Sequence, residues 1–122
     1  MEQKDQITEK IIGCCFNVHK VLGPGFNEKI YQNALKMQFE EQGIGFEIEK
    51  EYKVNYASKE VGKFRVDMVV EDKVIVEIKA LAGNIAQIFE YQVISYLKSS
   101  GLKVGLLINF GNKSCQIKRI MY

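Results

Sequence analysis

Hydrophobic residues recur every three to four positions in the first third of the chain. From Gln6 to Leu22 this spacing predicts an amphipathic helix, which the Gly23-Pro24-Gly25 triplet ends. The same spacing predicts a second helix from Asn27, a good N-cap residue, to about Gln42, with Gly43 beyond its end. The chain is therefore expected to open with two helices, each with one apolar side.

After Gly45 the hydrophobic period changes to two, which predicts β-strands. A first strand or bent pair spans Phe46 to Tyr56, and a polar turn follows from Ser58 to Gly62. Two further strands run from Phe64 to Val70 and from Val74 to Ala80. Every even-numbered position in these last two strands is apolar, so we predict that the even positions share one face of the sheet.

The hydrophobic pattern also predicts the register of the hairpin formed by these two strands. Both apolar sets share a face only if opposed residue numbers have an even sum, because a slip of one residue turns every side chain over. A three-residue loop, with Val70 opposite Val74 and Asp67 opposite Glu77, meets this condition. The side chains then expected on the face away from the apolar set are Arg65, Asp67, Glu77 and Lys79.

Helical spacing returns from Asn84 to Lys98, where Asn84 is the expected N-cap and Gln87 its capping-box partner. Gly101 closes this helix. A continuous apolar strand from Lys103 to Phe110 is typical of the middle of a sheet, and a last strand runs from Cys115 to Met121. The inner side of the helix is predicted to consist of Ile85, Ile88, Phe89, Tyr96 and Leu97.

The chain length of 122 residues fits one compact domain, which we predict spans 1–122 with an α/β (α+β) fold. The start MEQKDQ lacks the features of a signal peptide, and the aliphatic run Val104 to Ile108 is too short to cross a bilayer. We therefore expect a cytoplasmic protein with no membrane partner. Cys14, Cys15 and Cys115 lack CxxC spacing, so neither a disulfide framework nor a zinc site is expected, and Cys14 and Cys15 are predicted core residues.

Charge is distributed unevenly along the chain. Residues 1–90 contain 12 Lys/Arg and 15 Asp/Glu, whereas residues 91–122 contain five basic residues and no acid. This basic segment could contact the phosphates of a nucleic acid, or its side chains could simply solvate the surface. Both interpretations stay open for Lys98, Lys103, Lys113, Lys118 and Arg119.

Two carboxylates facing each other on a hairpin, Asp67 and Glu77, are followed by Lys79. Like charges at this distance resist joint ionisation unless a cation lies between them, so the pair is suited to a divalent metal. Mg²⁺ fits, because it prefers oxygen ligands and commonly takes only one or two protein carboxylates. The alternative is a solvated hairpin with cross-strand ion pairs, each worth well under about 1 kcal/mol.

Three motifs in order carry a family resemblance. Arg65-Val66-Asp67 and Glu77-Ile78-Lys79, followed by a helix with Gln92-Val-Ile-Ser-Tyr96, resemble the PD-(D/E)xK nuclease superfamily. Upstream, the segment Val18-His19-Lys-Val-Leu-Gly-Pro-Gly-Phe-Asn-Glu28-Lys-Ile-Tyr31 resembles the defining segment of its GxxExxY family. The sequence departs from the pattern at Val66, where the superfamily usually has proline, and at Phe89, where many relatives have histidine.

The resemblance implies a restriction-endonuclease-like αβββαβ core, with a central mixed sheet flanked by helices, and a metal-dependent phosphodiesterase site. The implied metal is Mg²⁺, with Mn²⁺ as a substitute. The implied ligands are Glu28, Asp67, Glu77 and the Ile78 carbonyl. Lys79 matches the catalytic lysine, and Gln92 and Tyr96 match the substrate-orienting pair.

Without the resemblance, these residues have simpler roles. Glu28 would complement the dipole of its helix N-terminus, Gln92 would satisfy a backbone carbonyl, and Tyr96 would be a core residue. His19 lies near the C-terminal end of its helix, and we expect it to be structural support at the edge of the site.

The leading hypothesis is a Mg²⁺-dependent nuclease, with DNA ranked above RNA as its expected substrate. The small size favours a homodimer or a partner protein that delivers the substrate. The second hypothesis is a non-catalytic nucleic-acid-binding or protein-interaction module that retains the fold. A third is a purely structural protein whose acidic hairpin face is solvated.

Overall fold

The computed structural model describes residues 3–122, which form three helices and one five-stranded sheet. The helices are α1 (Gln3–Leu22), α2 (Glu28–Glu41) and α3 (Gln87–Ser100). The strands are β1 (Phe46–Tyr56), β2 (Lys59–Val70), β3 (Val74–Lys79), β4 (Val104–Asn109) and β5 (Gln116–Met121). This is the predicted order of elements, and Asn27 caps α2 as expected, accepting the Ile30 N–H at 3.2 Å.

The strands lie in the sheet in chain order, and neighbours are antiparallel except for the parallel pair β3–β4. Helices cover both faces of this mixed sheet. One apolar cluster packs α1 and α2 on one face and includes Cys14 and Cys15, as predicted, whereas a second cluster packs α3 on the other. Strands β3 and β4 are consequently buried on both sides. Among residues 3–122, no helix has the length and apolarity needed to span a bilayer.

Strand β2 is longer than the sequence suggested. It begins at Lys59, so the predicted turn from Ser58 to Gly62 is wrong and Gly62 lies within the strand. The turn consists of Ala57 and Ser58, which both have positive φ values, +53° and +67°. A two-residue turn of this hand matches the twist of the flanking strands, so β1 and β2 stay paired almost to the tip.

The start of α3 also differs from the prediction. The helix begins at Gln87 with Ala86 at the N-cap, and no side chain caps it, so Asn84 and Gln87 do not form a capping box. Its buried side chains are Val93 and Leu97, whereas Ile88 is 64% exposed rather than internal. Four-residue spacing from Phe89 through Val93 to Leu97 defines the inner stripe, and Ile88 falls outside it.

The even-numbered positions of β2 do not share one face, contrary to prediction. Phe64 and Val66 belong to the cluster under α3, whereas Met68 and Val70 belong to the cluster under α1 and α2. The change occurs at Asp67, which is absent from the ladders on both sides of β2. Its expected partner on β1 is Glu49, whose φ of +52° interrupts the regular pleat. The predicted register of Val70 opposite Val74 is confirmed, but the regular ladder ends at the Met68–Val76 pair.

A buried asparagine fastens the chain that leaves β3. The Asn109 side chain is fully buried and accepts the Leu81 N–H at 2.9 Å while donating to the Leu81 carbonyl at 2.9 Å. Gly111 donates to the same Asn109 oxygen at 3.0 Å and passes very close to Leu81. This contact fixes the segment directly after Lys79 against the end of β4.

Gly111→Ala should destabilise the protein, because the added Cβ would lie 2.4 Å from the Leu81 backbone nitrogen and oxygen. Forcing the two backbones apart should cost about 1–3 kcal/mol, a typical cost of overpacking. Gly62→Ala is the matched control, because its Cβ would meet no atom within 4 Å. Thermal unfolding of both variants measures the difference, and an unchanged melting temperature for Gly111→Ala would contradict the close approach.

Candidate active site

A pocket of about 180 Å³ lies where the first turn of α2 meets the irregular part of β1 and β2. Glu28, Asp67 and Ile78, three of the predicted site residues, all line it. The other lining residues are Lys29, Gln32 and Glu49. The pocket therefore brings together side chains from α2, β1, β2 and β3.

Asp67 uses its backbone and its side chain to build this site. Its N–H donates to the Glu77 carboxylate at 2.8 Å, and its own carboxylate accepts the Ile78 N–H at 2.7 Å. Its carbonyl accepts from the Gln32 amide at 2.9 Å. Side chains of the site thus replace the ladder bonds that are missing at this position, which is why the strand can depart from regular pairing here.

Glu77 is only 5% exposed and adjoins Asp67, but it does not line the pocket. Alternation with Val76 and Ile78, which face α1 and α2, places Glu77 and Lys79 on the α3 face of the sheet. Burial, followed by the nearby Asp67 carboxylate, raises the pKa of Glu77 to about 8. Burial also raises the pKa of Asp67, with the Ile78 N–H acting in the opposite direction.

No basic side chain in the described part of the chain forms an ion pair with Glu28, Glu49, Asp67 or Glu77. The ion pairs present are Lys50–Glu47, Lys53–Glu60 and Lys118–Glu90. Glu28 and Glu49 further disfavour ionisation of Asp67, since both raise its pKa. The site therefore gathers acidic side chains that form no ion pair within 4 Å among the described residues.

This arrangement fits a hard divalent cation. Asp67 brings a carboxylate to the pocket, carboxylate oxygens are donors that Mg²⁺ prefers, and Mg²⁺ normally keeps several water ligands. Across residues 3–122, no three His, Cys, Asp or Glu side chains converge into a ready-made metal cage.

Lys79 lies on the α3 side of this acid pair. Its Nζ is 4.3 Å from the centroid of the Phe89 ring, a cation–π contact. Lys79 is still close enough to Asp67 and Glu77 to oppose the rise in their pKa values. Phe89 thus holds the lysine ammonium over its ring.

Gln92 and Tyr96 lie on α3, and Tyr96 faces β2. The Tyr96 ring stacks on Phe64 with centroids 4.3 Å apart and an interplanar angle of 3°. Burial raises the pKa of Tyr96, and the Glu77 and Asp67 carboxylates raise it further, whereas Gln92 lowers it. Tyr96 is therefore within electrostatic range of both acids. The predicted residues form two groups, one at the pocket and one under α3, which meet at Asp67 and Glu77.

Glu28 is positioned by the turn between α1 and α2. The Tyr31 hydroxyl donates to the Gly23 carbonyl and accepts the Phe26 N–H at 3.3 Å. Gly25 has a φ of +117°, which favours glycine. The glycine and the tyrosine on either side of Glu28 thus shape the loop that leads into the first turn of α2.

His19 supports the same region from α1. Its ring Nε2–H donates to the Asn112 carbonyl at 2.8 Å, and the ring stacks on Phe110 at 6.1 Å. Phe110 in turn stacks on Tyr31 with centroids 4.5 Å apart. His19 therefore ties α1 to the chain after β4, and it does not line the pocket.

Sequence reasoning missed three residues of the pocket, namely Lys29, Gln32 and Glu49. Gln32 is one turn after Glu28 and only 4% exposed, so its four-residue spacing could have indicated it. Its amide also donates to the Glu49 carboxylate at 3.3 Å. Glu49 carried no such signal, because it is one of several charged residues that alternate along β1.

Comparison with known proteins finds a solved structure with a similar fold. The protein SSO0001, whose crystal structure is solved, superposes with a TM-score of 0.61 at 20% identity over 76% of this chain. This chain spans about half of SSO0001, 48% of its length, so that similarity concerns the fold. No curated protein gives a significant match.

A family model described as the PD-(D/E)XK nuclease superfamily matches residues 5–120. The mixed sheet with helices on both faces agrees with this match, and the predicted restriction-endonuclease-like α+β fold is confirmed. Because the match extends over nearly the whole sequence and includes every strand and helix around the pocket, the chain belongs to the PD-(D/E)XK nuclease superfamily.

Proposed function

We propose that this protein is a nuclease that hydrolyses phosphodiester bonds of DNA with Mg²⁺, for which Mn²⁺ can substitute. Membership of a nuclease superfamily implies a nucleic-acid substrate. The observation that carries the proposal is the Asp67–Glu77 pair, two adjoining acids with raised pKa values beside a pocket, neither of which forms an ion pair with any described residue. Keeping such a pair costs stability, and binding a cation would offset that cost.

Each residue has a role in this proposal. Asp67 and the Ile78 carbonyl hold the metal, with Glu28 across the pocket and Glu77 behind Asp67 completing the acidic site. When bound, Mg²⁺ supplies a water of lowered pKa and offsets charge on the phosphoryl group. Lys79 donates hydrogen bonds to the attacking water or the phosphate, and Gln92 and Tyr96 orient Lys79 from α3.

We also propose that the chain belongs to the GxxExxY branch of the superfamily. Gly25, Glu28 and Tyr31 have the required spacing. The bonds of Tyr31 to Gly23 and Phe26 give the tyrosine a physical role in that motif, which is to fix the loop before the acid.

One observation favours a second candidate, a DNA-binding module without catalysis. The Lys79 ammonium lies over the Phe89 ring instead of forming an ion pair with Asp67 or Glu77. A lysine kept there during binding would not reach the phosphate. Both candidate functions predict that the protein binds DNA, but only the nuclease predicts that it cleaves DNA.

Cleavage of plasmid and linear DNA should require millimolar Mg²⁺ or Mn²⁺ and should stop when EDTA is added. Lys79→Met should lower the rate at least about 100-fold, the lower end of what a proton-transferring or charge-stabilising group contributes. Lys10→Met is the control, since Lys10 is exposed on α1 and does not line this pocket. Equal rates in wild type and Lys79→Met would reveal a contaminating nuclease, and DNA binding without cleavage would favour the second candidate.

A further inference from the structure

The β1–β2 hairpin extends well beyond the rest of the sheet. The two strands pair from Phe46–Val70 to Tyr56–Lys59, but only Met68, Val69 and Val70 of β2 pair with β3. Residues 50–66 therefore form a two-stranded arm. One side of the arm, which includes Tyr52, Phe64 and Val66, packs against the cluster under α3. The other side is exposed to solvent.

The exposed side of the arm is basic. Residues 50–66 contain five Lys/Arg and two Glu, and on the exposed side Lys53, Lys63 and Arg65 outnumber Glu51 and Glu60. Lys53, Lys63 and Arg65 alternate with the packed residues and are all exposed. Lys53, Lys63 and Arg65 thus form a basic strip on the arm, which the net charge of the whole chain does not reveal.

Two of these cations face each other. Lys53 lies directly opposite Lys63 in the ladder, and like charges directly opposite each other are destabilising in antiparallel strands. Neither Lys63 nor Arg65 has an ion pair within 4 Å in the described chain, and Lys53 is 3.9 Å from Glu60. Arg65 faces Glu51 in the ladder without forming such a pair. The arm therefore keeps positive charge that its own acids leave available.

The basic strip leads towards the pocket. Lys63 and Arg65 precede Asp67 by four and two residues on one strand, so their Cα atoms lie about 13 and 7 Å from it at about 3.3 Å per residue. Phosphates of each strand of a B-form duplex follow at about 3.4 Å along its axis, so the strip spans several of them. Because the packed side of the arm faces α3, the basic side faces the α2 side of the sheet, where the pocket with Lys29 also lies.

We propose that Lys53, Lys63 and Arg65 hold the phosphate backbone of duplex DNA beside the pocket, without reading its sequence. This inference rests on the proposed function for its substrate, and it assigns backbone binding to the arm rather than to the basic C-terminal segment. In that segment Lys118 already pairs with Glu90 at 3.0 Å, and Lys98 lies over the Tyr122 ring at 5.9 Å. On the arm, Lys53 has only a long ion pair with Glu60, and Lys63 and Arg65 have none among the described residues.

The test measures binding of a short, fluorescein-labelled DNA duplex of mixed sequence by anisotropy in EDTA, so that no cleavage occurs. The arm variant is Lys53→Gln/Lys63→Gln/Arg65→Gln, and the control, Lys98→Gln/Lys103→Gln/Lys113→Gln, removes the same charge elsewhere. The arm variant should bind at least about tenfold more weakly at physiological salt, and its plot of log K against log salt should be shallower by about 2 to 3. The control should lose less than about threefold and keep the wild-type slope.

Thermal unfolding separates this role from a structural one. The arm variant should melt at the wild-type temperature or higher, because it loses the Lys53–Lys63 repulsion. Equal weakening in both variants, or no duplex binding by the wild type at low salt, would overturn the inference. If the wild type binds duplex DNA but does not cleave it in Mg²⁺, the nuclease proposal is refuted and the role of the arm stands. If the protein cleaves DNA but the arm variant binds as well as the wild type, the role of the arm is refuted and the nuclease proposal stands.

Discussion

Asp67→Asn should lower the rate of metal-dependent DNA cleavage by about three orders of magnitude or more, in line with removal of an essential catalytic group. Asp67 is the residue at which the pocket and the acid pair meet. Asparagine keeps the side-chain oxygen that accepts the Ile78 N–H, and the backbone bonds to Glu77 and Gln32 do not depend on the carboxylate. The loss should therefore be one of charge and metal binding with the local structure preserved.

Single-turnover cleavage of an end-labelled duplex in Mg²⁺ measures this loss. Asp72→Asn is the control, because Asp72 is an exposed acid in the loop between β2 and β3. The melting temperature of Asp67→Asn should stay near that of the wild type. Cleavage by Asp67→Asn within tenfold of the wild-type rate would refute the assignment of the metal site.

Glu77→Gln should make the metal-free protein more stable while removing its cleavage activity. Glu77 is buried beside Asp67, and its raised pKa means that the fold resists its ionisation. Glutamine resembles the protonated acid and retains an oxygen to accept the Asp67 N–H. At pH values above 8 the gain should be about 1–3 kcal/mol, given that one unit of pKa shift corresponds to about 1.4 kcal/mol.

The pH dependence of this gain follows from the direction of the pKa shift. Because the pKa of Glu77 is about 8 in the folded protein and 4.5 normally, folded wild type binds more protons than unfolded chain between these values. The contribution of Glu77 to stability is therefore most favourable below pH 4.5, falls as the pH rises, and levels off above 8. Glu77→Gln lacks this titration, so the two proteins should differ little at pH 5 and most above pH 8.

Thermal unfolding in EDTA across this pH range tests the prediction, and adding Mn²⁺ provides a second measurement. Metal binding has to displace the proton from Glu77, so the stabilisation of wild type by Mn²⁺ should grow between pH 6 and 8. Glu77→Gln should gain less from Mn²⁺ at every pH. A variant that is less stable than wild type above pH 8 would contradict the electrostatic cost assigned to this acid pair.

The sequence was sufficient to predict most of the architecture, because long amphipathic patterns and simple strand alternation leave few choices. Both helices before the sheet, the buried strand β4 and the Val70–Val74 register agree with expectation. The predicted start of α3 at Asn84 was wrong, because a capping pattern in the sequence reports only local preferences. The chain there is held by the distant contacts of Asn109 and Asn112 with Leu81 and Gly83.

The candidate site was predictable only in part, for a similar reason. Alternation placed Asp67 beside Glu77, and the motif resemblance added Glu28 and Ile78. Alternation could not reveal that the pleat is interrupted at Glu49 and Asp67, since a positive φ at a glutamate leaves no mark in the sequence. Gln32 and Glu49 enter the pocket through that irregularity.

The change of face within β2 also protects the chain against misassembly. Phe64 and Val66, which precede Asp67 in β2, pack in the core under α3. Met68 and Val70, which follow Asp67, pack in the core under α1 and α2. If the hairpin paired one residue out of step, both halves of the strand would turn their apolar groups outward at once, and neither core would compensate for the other. Asp67 and Glu77 consequently come together only in a chain whose two apolar cores have both formed. A misfolded chain would therefore also lack the acidic site.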